Sequence, residues 1–249
     1  MNYYNEFDPY AAQWLRSLIA AGHIPAGDVD ERSIVDVRAD DLRGYTQCHF
    51  FAGIAGWSLA LALAGWPADR PVWTGSPPCQ DNSVAASIHG RRDGLRGARS
   101  GLAHTWLDLV AGCHPGRVFF ENVPGIEPWL AEIERGLAEA GYRVSKSKRS
   151  TADIAGYHLR RRVWVAAYRD SAGLEEPWQA RPQSPFSDPR RAVAGNFWTA
   201  APDRPGGFAD GFPARVAAVR AFGNAIDPWV AAEFIRASAP DLHPERFAQ

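Results

Sequence analysis

From Thr46 onward the chain alternates short apolar segments, turns rich in glycine and proline, and runs at helical spacing. That alternation restricts it to an α/β sheet whose strands are mostly parallel. Gln47 to Phe51 reads as a short strand ending at Ala52-Gly53-Ile54-Ala55-Gly56, with a helix over Trp57 to Ala64. Pro71 to Thr74 is a second strand, ending at Gly75-Ser76-Pro77-Pro78-Cys79-Gln80. A polar loop over 81–100 carries Arg91, Arg92, Arg96 and Arg99. A helix near 101–111 precedes the strand Arg117 to Phe120 and its turn Glu121-Asn122-Val123-Pro124-Gly125. The helix 128–140 sets Leu130, Ile133 and Leu137 on one face, and Tyr142 to Val144 and Val163 to Ala167 read as strands.

The flanks follow other rules. Residues 8–21 open with Asp8 as N-cap and Pro9 at the first helical position, then repeat apolar side chains at three and four, which predicts an amphipathic helix. Residues 22–44 read as an acidic loop with short turns. The stretch 170–213 is proline-rich and aperiodic, a loop-rich insert rather than an independent domain. A final helix is expected from Asp227-Pro228 through Trp229, Val230 and Phe234.

Composition narrows the partners. With 46% hydrophobic residues and 22% charged ones the chain is globular, and a net charge of −1 excludes a uniformly basic coat. The charge is nevertheless uneven: residues 1–45 hold four arginines against eight acids, and residues 143–220 hold fourteen Lys/Arg against seven acids. A basic third on a neutral protein points to one face for an anionic partner, although an arginine-rich surface accounts for it equally well. The apolar run Trp57 to Trp66 is too short to span a bilayer. The first residues lack the basic n-region of a signal peptide. Three cysteines make no closed disulfide set, so a reducing cytoplasm is the expected setting.

Four loops follow strands, where ligands sit in an open α/β sheet. Small residues in Phe51-Ala-Gly-Ile-Ala-Gly56 let the backbone approach a ligand, or serve packing alone. Pro77-Pro78 stiffens the approach to Cys79, as a fixed nucleophile requires, and a buried structural thiol is the alternative. Cys48 and Cys113 lie in apolar runs and fit the structural role better. The pairs Cys48-His49 and Cys113-His114 lack metal-ligand spacing, so no metal is expected. Glu121, directly after an apolar strand, should be desolvated with a raised pKa and able to share a proton with a ring nitrogen, unless it is a solvated loop acid. In Arg160-Arg161-Arg162 alternation sends the outer pair to one face, where they can grip an anion or carbonyl, unless the cluster is simply solvated.

The order of these signals is more specific than any one of them. Phe-Ala-Gly, Pro-Pro-Cys-Gln, Glu-Asn-Val, the spaced arginines and Gly223-Asn224-Ala225 before a last helix together resemble the DNA cytosine-5 methyltransferases, over about Thr46 to Ala237. Short phage and prophage members, which also carry an acidic N-terminal extension, are especially similar. The resemblance implies a shortened Rossmann-like class I methyltransferase sheet with helices on both faces. It divides the chain into an acidic helical extension (1–45), a catalytic core (46–169), a small insert in place of the target-recognition domain (170–213) and a C-terminal helix completing the core (214–249). It implies S-adenosylmethionine as cofactor, double-stranded DNA as partner and a bacterial or phage-infected cytoplasm as location. Cys79 would attack C6 of a flipped cytosine, Glu121 would bind N3 and the exocyclic amine, and Arg160 and Arg162 would hold the base carbonyl and the catalytic loop. Phe51, Ala52, Gly53, Ile54, Gly56, Trp57, Pro77, Asn224 and Ala225 match the cofactor-binding segments. Gln80, Ser83, Arg91, Arg92, Arg96 and Arg99 fall on the loop that closes over DNA.

The chain also departs from the family pattern. Between Gly53 and Pro78 typical members place two more strands, whose acids hold the cofactor ribose and adenine; here one helix leads straight to the cysteine strand. The sheet is therefore expected to lack two outer strands, with a right-handed crossover closing the connection. Residues 1–45 or a second copy of the chain would cover the bared edge. His49 replaces an Asp, Ala55 a Gly, Asp81-Asn82-Ser83 the usual x-Phe-Ser, and His158 a Gln. The short insert implies relaxed or very short sequence specificity. Two other readings remain: a DNA-binding relative without activity, and covalent chemistry with another donor or on RNA.

Overall fold

The computed structural model describes residues 1–78, 101–154, 160–169, 225–239 and 242. Among the described residues seven strands form one sheet in the order β2-β1-β3-β4-β5-β7-β6. They are β1 (Asn2–Asn5), β2 (Gly27–Asp30), β3 (Gln47–Phe50), β4 (Val72–Gly75), β5 (Arg117–Asn122), β6 (Arg143–Ser150) and β7 (Arg161–Tyr168). The first five are mutually parallel; β7 runs antiparallel between β5 and β6. The helices are α1 (Pro9–Ala20), α2 (Gly56–Ala64), α3 (Leu102–Cys113), α4 (Glu127–Glu139) and α5 (Pro228–Ser238). The fold is thus α/β, mostly parallel, with helices on both faces.

Alternation along each strand divides the core in two. Tyr4, Val72, Phe119, Trp164 and Tyr168 face α1, α2 and α5. Tyr3, Cys48, Phe50, Trp73, Val118 and Phe120 face α3 and α4. All four residues of β3 and all six of β5 are buried, as expected for central parallel strands covered on both sides. The helix ends follow their caps. Asp8 accepts from the amides of Tyr10 and Ala11 ahead of α1, and Asp227 from those of Trp229 and Val230 ahead of α5, with proline in the first turn of each.

The largest difference from the sequence reading lies in residues 1–45. Along the chain no strand separates α2 from β4, as expected, yet the sheet is not narrowed. Two parallel strands drawn from the segment read as helix plus acidic loop occupy that edge: β1 pairs along β3, with Asn5 opposite Phe50, and β2 pairs outside β1. Of the two expected covers for this edge, residues 1–45 and a second copy of the chain, the first is present.

A second difference concerns the crossovers. Helix α1 leads from β1 to the β2 edge on one face, and α3 leads from β4 in the opposite direction on the other face, so the two connections have the same hand. Helix α2 travels in the direction of α3 but on the face of α1, so β3-α2-β4 has the opposite hand. The uniform right-handed rule expected there is not met. Packing supplies the reason. Gly56 lies so close to the segment leading into α5 that a Cβ would stand 2.6 Å from Ile226 Cγ1, which holds the start of α2 on the α5 face. A turn beyond Gly65, fastened by Trp66 Nε1 donating to the Arg70 carbonyl at 3.0 Å and Gln47 Nε2 to the Pro67 carbonyl at 3.1 Å, then returns the chain to β4.

Candidate active site

The carboxyl ends of β1, β3, β4 and β5 lie side by side, and the covering helix changes face between β3 and β4, where an open α/β sheet forms its ligand crevice. The loop after β3 is shaped by left-handed backbone at three alternating positions: Phe51 (φ 51°), Gly53 (φ 55°) and Ala55 (φ 67°). Two of these are not glycine, a conformation that costs about 1–2 kcal/mol per residue and persists only where neighbours impose it. The neighbours are visible. The Ala52 amide donates to the Asn5 carbonyl at 3.0 Å, the Ala55 amide to the Ala52 carbonyl at 3.0 Å, and the Gly53 amide to Glu6 Oε2 at 2.7 Å. A Cβ on Gly53 would meet nothing within 4 Å among the described residues, so as far as they extend the loop presents open backbone at this end of the sheet.

Phe51, Ala52, Gly53, Ile54, Gly56, Trp57, Pro77 and Ala225, expected at the cofactor, all belong to this end. Trp57 Nε1 donates to Ser76 Oγ at 3.2 Å, linking the start of α2 to the end of β4. Arg160 Nη2 donates to the Ala225 carbonyl at 2.6 Å, linking the loop before β7 to the approach to α5. Asn224 lies outside the described residues. The bare loop, the open space above Gly53 and the carboxylate of Glu6 beside it suit a ligand carrying hydroxyl donors, so the residues present fit a nucleoside-containing cofactor.

Glu121 is the chemically distinctive group. It is the penultimate residue of the buried strand β5, is 5% exposed, and burial pushes its pKa up to about 7, against the pull of Arg162 and Arg160. Arg162 Nε stands 2.6 Å from Glu121 Oε1, and Ser76 adds a side-chain hydrogen bond. Asn122 Nδ2 donates to the Pro77 carbonyl at 2.9 Å while its Oδ1 accepts from the Val123 amide at 2.8 Å. The segment Ser76-Pro77-Pro78 is thereby held against the end of β5. The expected raised pKa of Glu121 and the shared side of Arg160 and Arg162 are both present; Arg161 is exposed.

Cys79, Gln80, Ser83, Arg91, Arg92, Arg96 and Arg99 lie outside the described residues, as does the 170–213 insert. Cys48 is buried and Cys113 half-buried, with burial raising both thiol pKa values, which suits their structural reading. His49, fully buried, has its pKa lowered to about 3; its Nδ1 lies 2.8 Å from Thr74 Oγ1 and its ring stacks on Tyr4 at 5.0 Å. It is a neutral packing group. Among the described residues no group of His, Cys, Asp and Glu could hold a metal ion, and no helix is long and apolar enough to cross a membrane. Sequence reasoning missed Glu6. In the sequence Glu6 carries no signal of its own, because Glu-Phe-Asp-Pro reads as the start of a helix.

Residues 66–199 match the family model described as C-5 cytosine-specific DNA methylase. The chain is 30% identical over 106 residues to the type II methyltransferase M.MthTI of Methanothermobacter thermautotrophicus, covering 41% of this chain and 31% of that protein. It is 37% identical over 70 residues to the DNA (cytosine-5-)-methyltransferase M.ApeKI of Aeropyrum pernix, covering 28% and 14%. The chain thus spans about a third or less of these curated relatives. Among solved structures, an Entamoeba histolytica methyltransferase, EhMeth, aligns with a TM-score of 0.44 at 16% identity over 74% of this chain and 57% of that one. The S. pombe Dnmt2 methyltransferase aligns with a TM-score of 0.43 at 16% identity, over 72% and 53%.

Proposed function

The chain belongs to the C-5 cytosine-specific DNA methylases, and from that premise we propose that it methylates C5 of cytosine in double-stranded DNA with S-adenosylmethionine as donor. The observation that carries the reading is Glu121. A carboxyl group with a pKa of about 7 is partly protonated at neutral pH, which is the state needed to donate a hydrogen bond to a ring nitrogen and then hold the proton there. It sits against Ser76, three residues before Cys79 in the chain.

In this proposal the Cys79 thiolate adds to C6 of a cytosine swung out of the duplex, since neither face of a stacked base is open to sulfur. The electron pair of the C5–C6 double bond moves toward N3 as Glu121 places its proton there, leaving an enamine with a nucleophilic C5. S-Adenosylmethionine, when bound, supplies the electrophilic methyl group. As C5 takes the methyl group S-adenosylhomocysteine leaves and N3 returns its proton to Glu121; water then takes the C5 proton, the C5–C6 double bond re-forms, the Cys79–C6 bond breaks and the thiolate leaves. Arg162 orients the Glu121 carboxylate and keeps it from rising further in pKa, while Arg160 ties the loop before β7 to Ala225. Phe51–Trp57, Pro77 and Asn224-Ala225 would hold the donor, and the arginines of 81–100 would meet phosphates. Residues 46–169 and 214–249 form the catalytic core on this reading, with 170–213 contacting few bases.

An inactive DNA-binding relative draws its support from the absence of two cofactor-bearing strands after α2 along the chain. With β1 and β2 at that edge the reading loses its main support. Bisulfite sequencing of DNA from cells expressing the chain, beside a Cys79→Ser control, tests the activity: methylated cytosines are expected with the unsubstituted chain alone. DNA containing 5-fluorocytosine should trap a covalent adduct that Cys79→Ser abolishes. An absence of both methylation and adduct refutes the assignment.

A further inference from the structure

We propose that Ser76 is a positioning residue for Glu121, itself set in place by the indole of Trp57, so that a one-way chain of hydrogen bonds from indole to hydroxyl to carboxyl prepares the group that acts on the base. The inference rests on the methylation reading and deepens it.

The strand ladders bring the three side chains together. Gly75 lies opposite Phe120, so Ser76 stands level with Glu121, and Glu121 lies opposite Trp164 on its other side. Partners across a ladder share a face of the sheet. Phe119 and Trp164 belong to the face covered by α2, so Ser76, Glu121 and Arg162 belong to it as well. Onto that face α2 lays Trp57, which is buried. Its ring stacks on Phe119 at 6.4 Å and meets Trp164 edge-on at 5.5 Å, two neighbours of Glu121. From this wedged position Nε1 donates to Ser76 Oγ at 3.2 Å. Asn122 Nδ2 holds the Pro77 carbonyl at 2.9 Å, so the backbone carrying the hydroxyl is tied to β5 as well.

The direction of the chain follows from the chemistry of its members. An indole N–H can only donate, whereas a hydroxyl has one proton and two lone pairs. Ser76 therefore spends a lone pair on Trp57 and keeps its proton for Glu121, where it opposes the effect of burial on the carboxyl. Arg162, with Nε 2.6 Å from Oε1, is likewise a donor only. Among the described residues the charged groups acting on Glu121 are Arg162 of β7 and Arg160 just before it. Asp227 acts on Arg160, and neither α2 nor β4 carries a titratable side chain. A carboxyl flanked by donors has no neighbour to take its proton, which is left for the ring nitrogen of the base. Without the indole, the serine could turn to accept from protonated Glu121 and hold that proton away from the base.

The test reads the Glu121 carboxyl directly, with turnover beside it. Carbon-13 NMR of the full chain labelled at its glutamate carboxyl carbons gives the pKa, with Glu121→Gln identifying the resonance; kcat for methylation is followed against pH. Ser76→Ala deletes a hydrogen bond to a charged group and should raise that pKa by about one pH unit. The alkaline limb of the kcat profile should move up with it, and kcat at the optimum should fall about tenfold while KM for donor and DNA stays within about twofold. Ser76→Thr restores the hydroxyl and with it the pKa. Trp57→Phe keeps the ring, deletes the N–H and should move the pKa the same way by less; it carries the test if Ser76→Ala does not fold. A serine with a merely structural role would lower the thermal midpoint and leave the titration and the profile in place. Either readout unmoved in an active Ser76→Ala chain overturns this assignment alone. An unsubstituted chain without turnover overturns the functional reading, and the positioning role with it.

Discussion

Replacing Glu121 with glutamine removes one titrating group from the core and keeps its shape. In the folded chain the carboxyl has a pKa of about 7 against an ordinary value of 4.5. The folded state therefore holds that proton more tightly than the unfolded state does between those two pH values. Stability attributable to this group falls as pH rises through the window and levels off above it. The full shift corresponds to about 3 kcal/mol, most of which is lost between pH 5 and pH 8. Glu121→Gln carries no such loss. It has a fixed cost, because Arg162 loses a charged partner at 2.6 Å, but arginine stays protonated throughout and adds no slope.

The observable is therefore a difference of slopes. Thermal unfolding followed by circular dichroism at pH 5, 6, 7 and 8 should show the unsubstituted chain losing ground against Glu121→Gln. The gap should change by roughly 5–10 °C across that range, given the usual conversion for a chain of this size. Turnover moves the other way: glutamine can accept or donate a hydrogen bond but cannot deliver a proton to N3, so methylation should fall by about 10²–10⁴ with DNA affinity within a fewfold. Parallel pH profiles of the two midpoints would refute the buried, proton-holding carboxyl on which the site is built.

Gly56→Ala should cost about 1–3 kcal/mol and loosen α5 from α2, because the new methyl would stand 2.6 Å from Ile226 Cγ1; a midpoint equal to that of the unsubstituted chain would contradict this packing. Arg91→Ala with Arg92→Ala should weaken DNA binding across sequences and flatten the plot of log affinity against log salt by about one unit per lost phosphate contact; an unchanged slope would remove that loop from the backbone.

Much of the fold could be read because local rules and tertiary placement agree. The Asp8 and Asp227 caps, each followed by proline, mark their helices in the sequence and in the structure, and the apolar runs of β3, β4 and β5 are central strands. The misses have a common physical cause: polar strands whose side chains are satisfied by partners far away in sequence. In β1 the Asn2 amide donates to Gln47 Oε1 at 3.1 Å and the Asn5 amide to the Arg32 carbonyl at 2.9 Å, so two asparagines can be buried in a four-residue strand. In β2, Gly-Asp-Val-Asp lies at a sheet edge, where charge is tolerated and discourages further pairing. Strand β6 extends to Ser150 rather than Val144, through a basic run whose Lys146 pairs with Glu134 and Lys148 with Glu127. None of these partners could be known before the fold was.

The site itself was legible to a different degree at each strand end. At the ends of β4, β5 and β7 the order of the motifs along the chain carries the reading, because a buried thiol or a solvated loop acid would account for Cys79 or Glu121 taken singly. The end of β1 has no such motif, since a Glu-Phe-Asp-Pro sequence reads first as the start of a helix. Its meaning depends on the β1–β3 ladder, which sets the Gly53 amide 2.7 Å from Glu6 across 47 positions of sequence. The same ladder explains how Ala55 can stand where glycine would be easier. The Asn5 carbonyl and the Glu6 carboxylate anchor Ala52 and Gly53, and the Ala52 carbonyl in turn holds Ala55, so the left-handed shape of this loop depends in part on the first six residues of the chain.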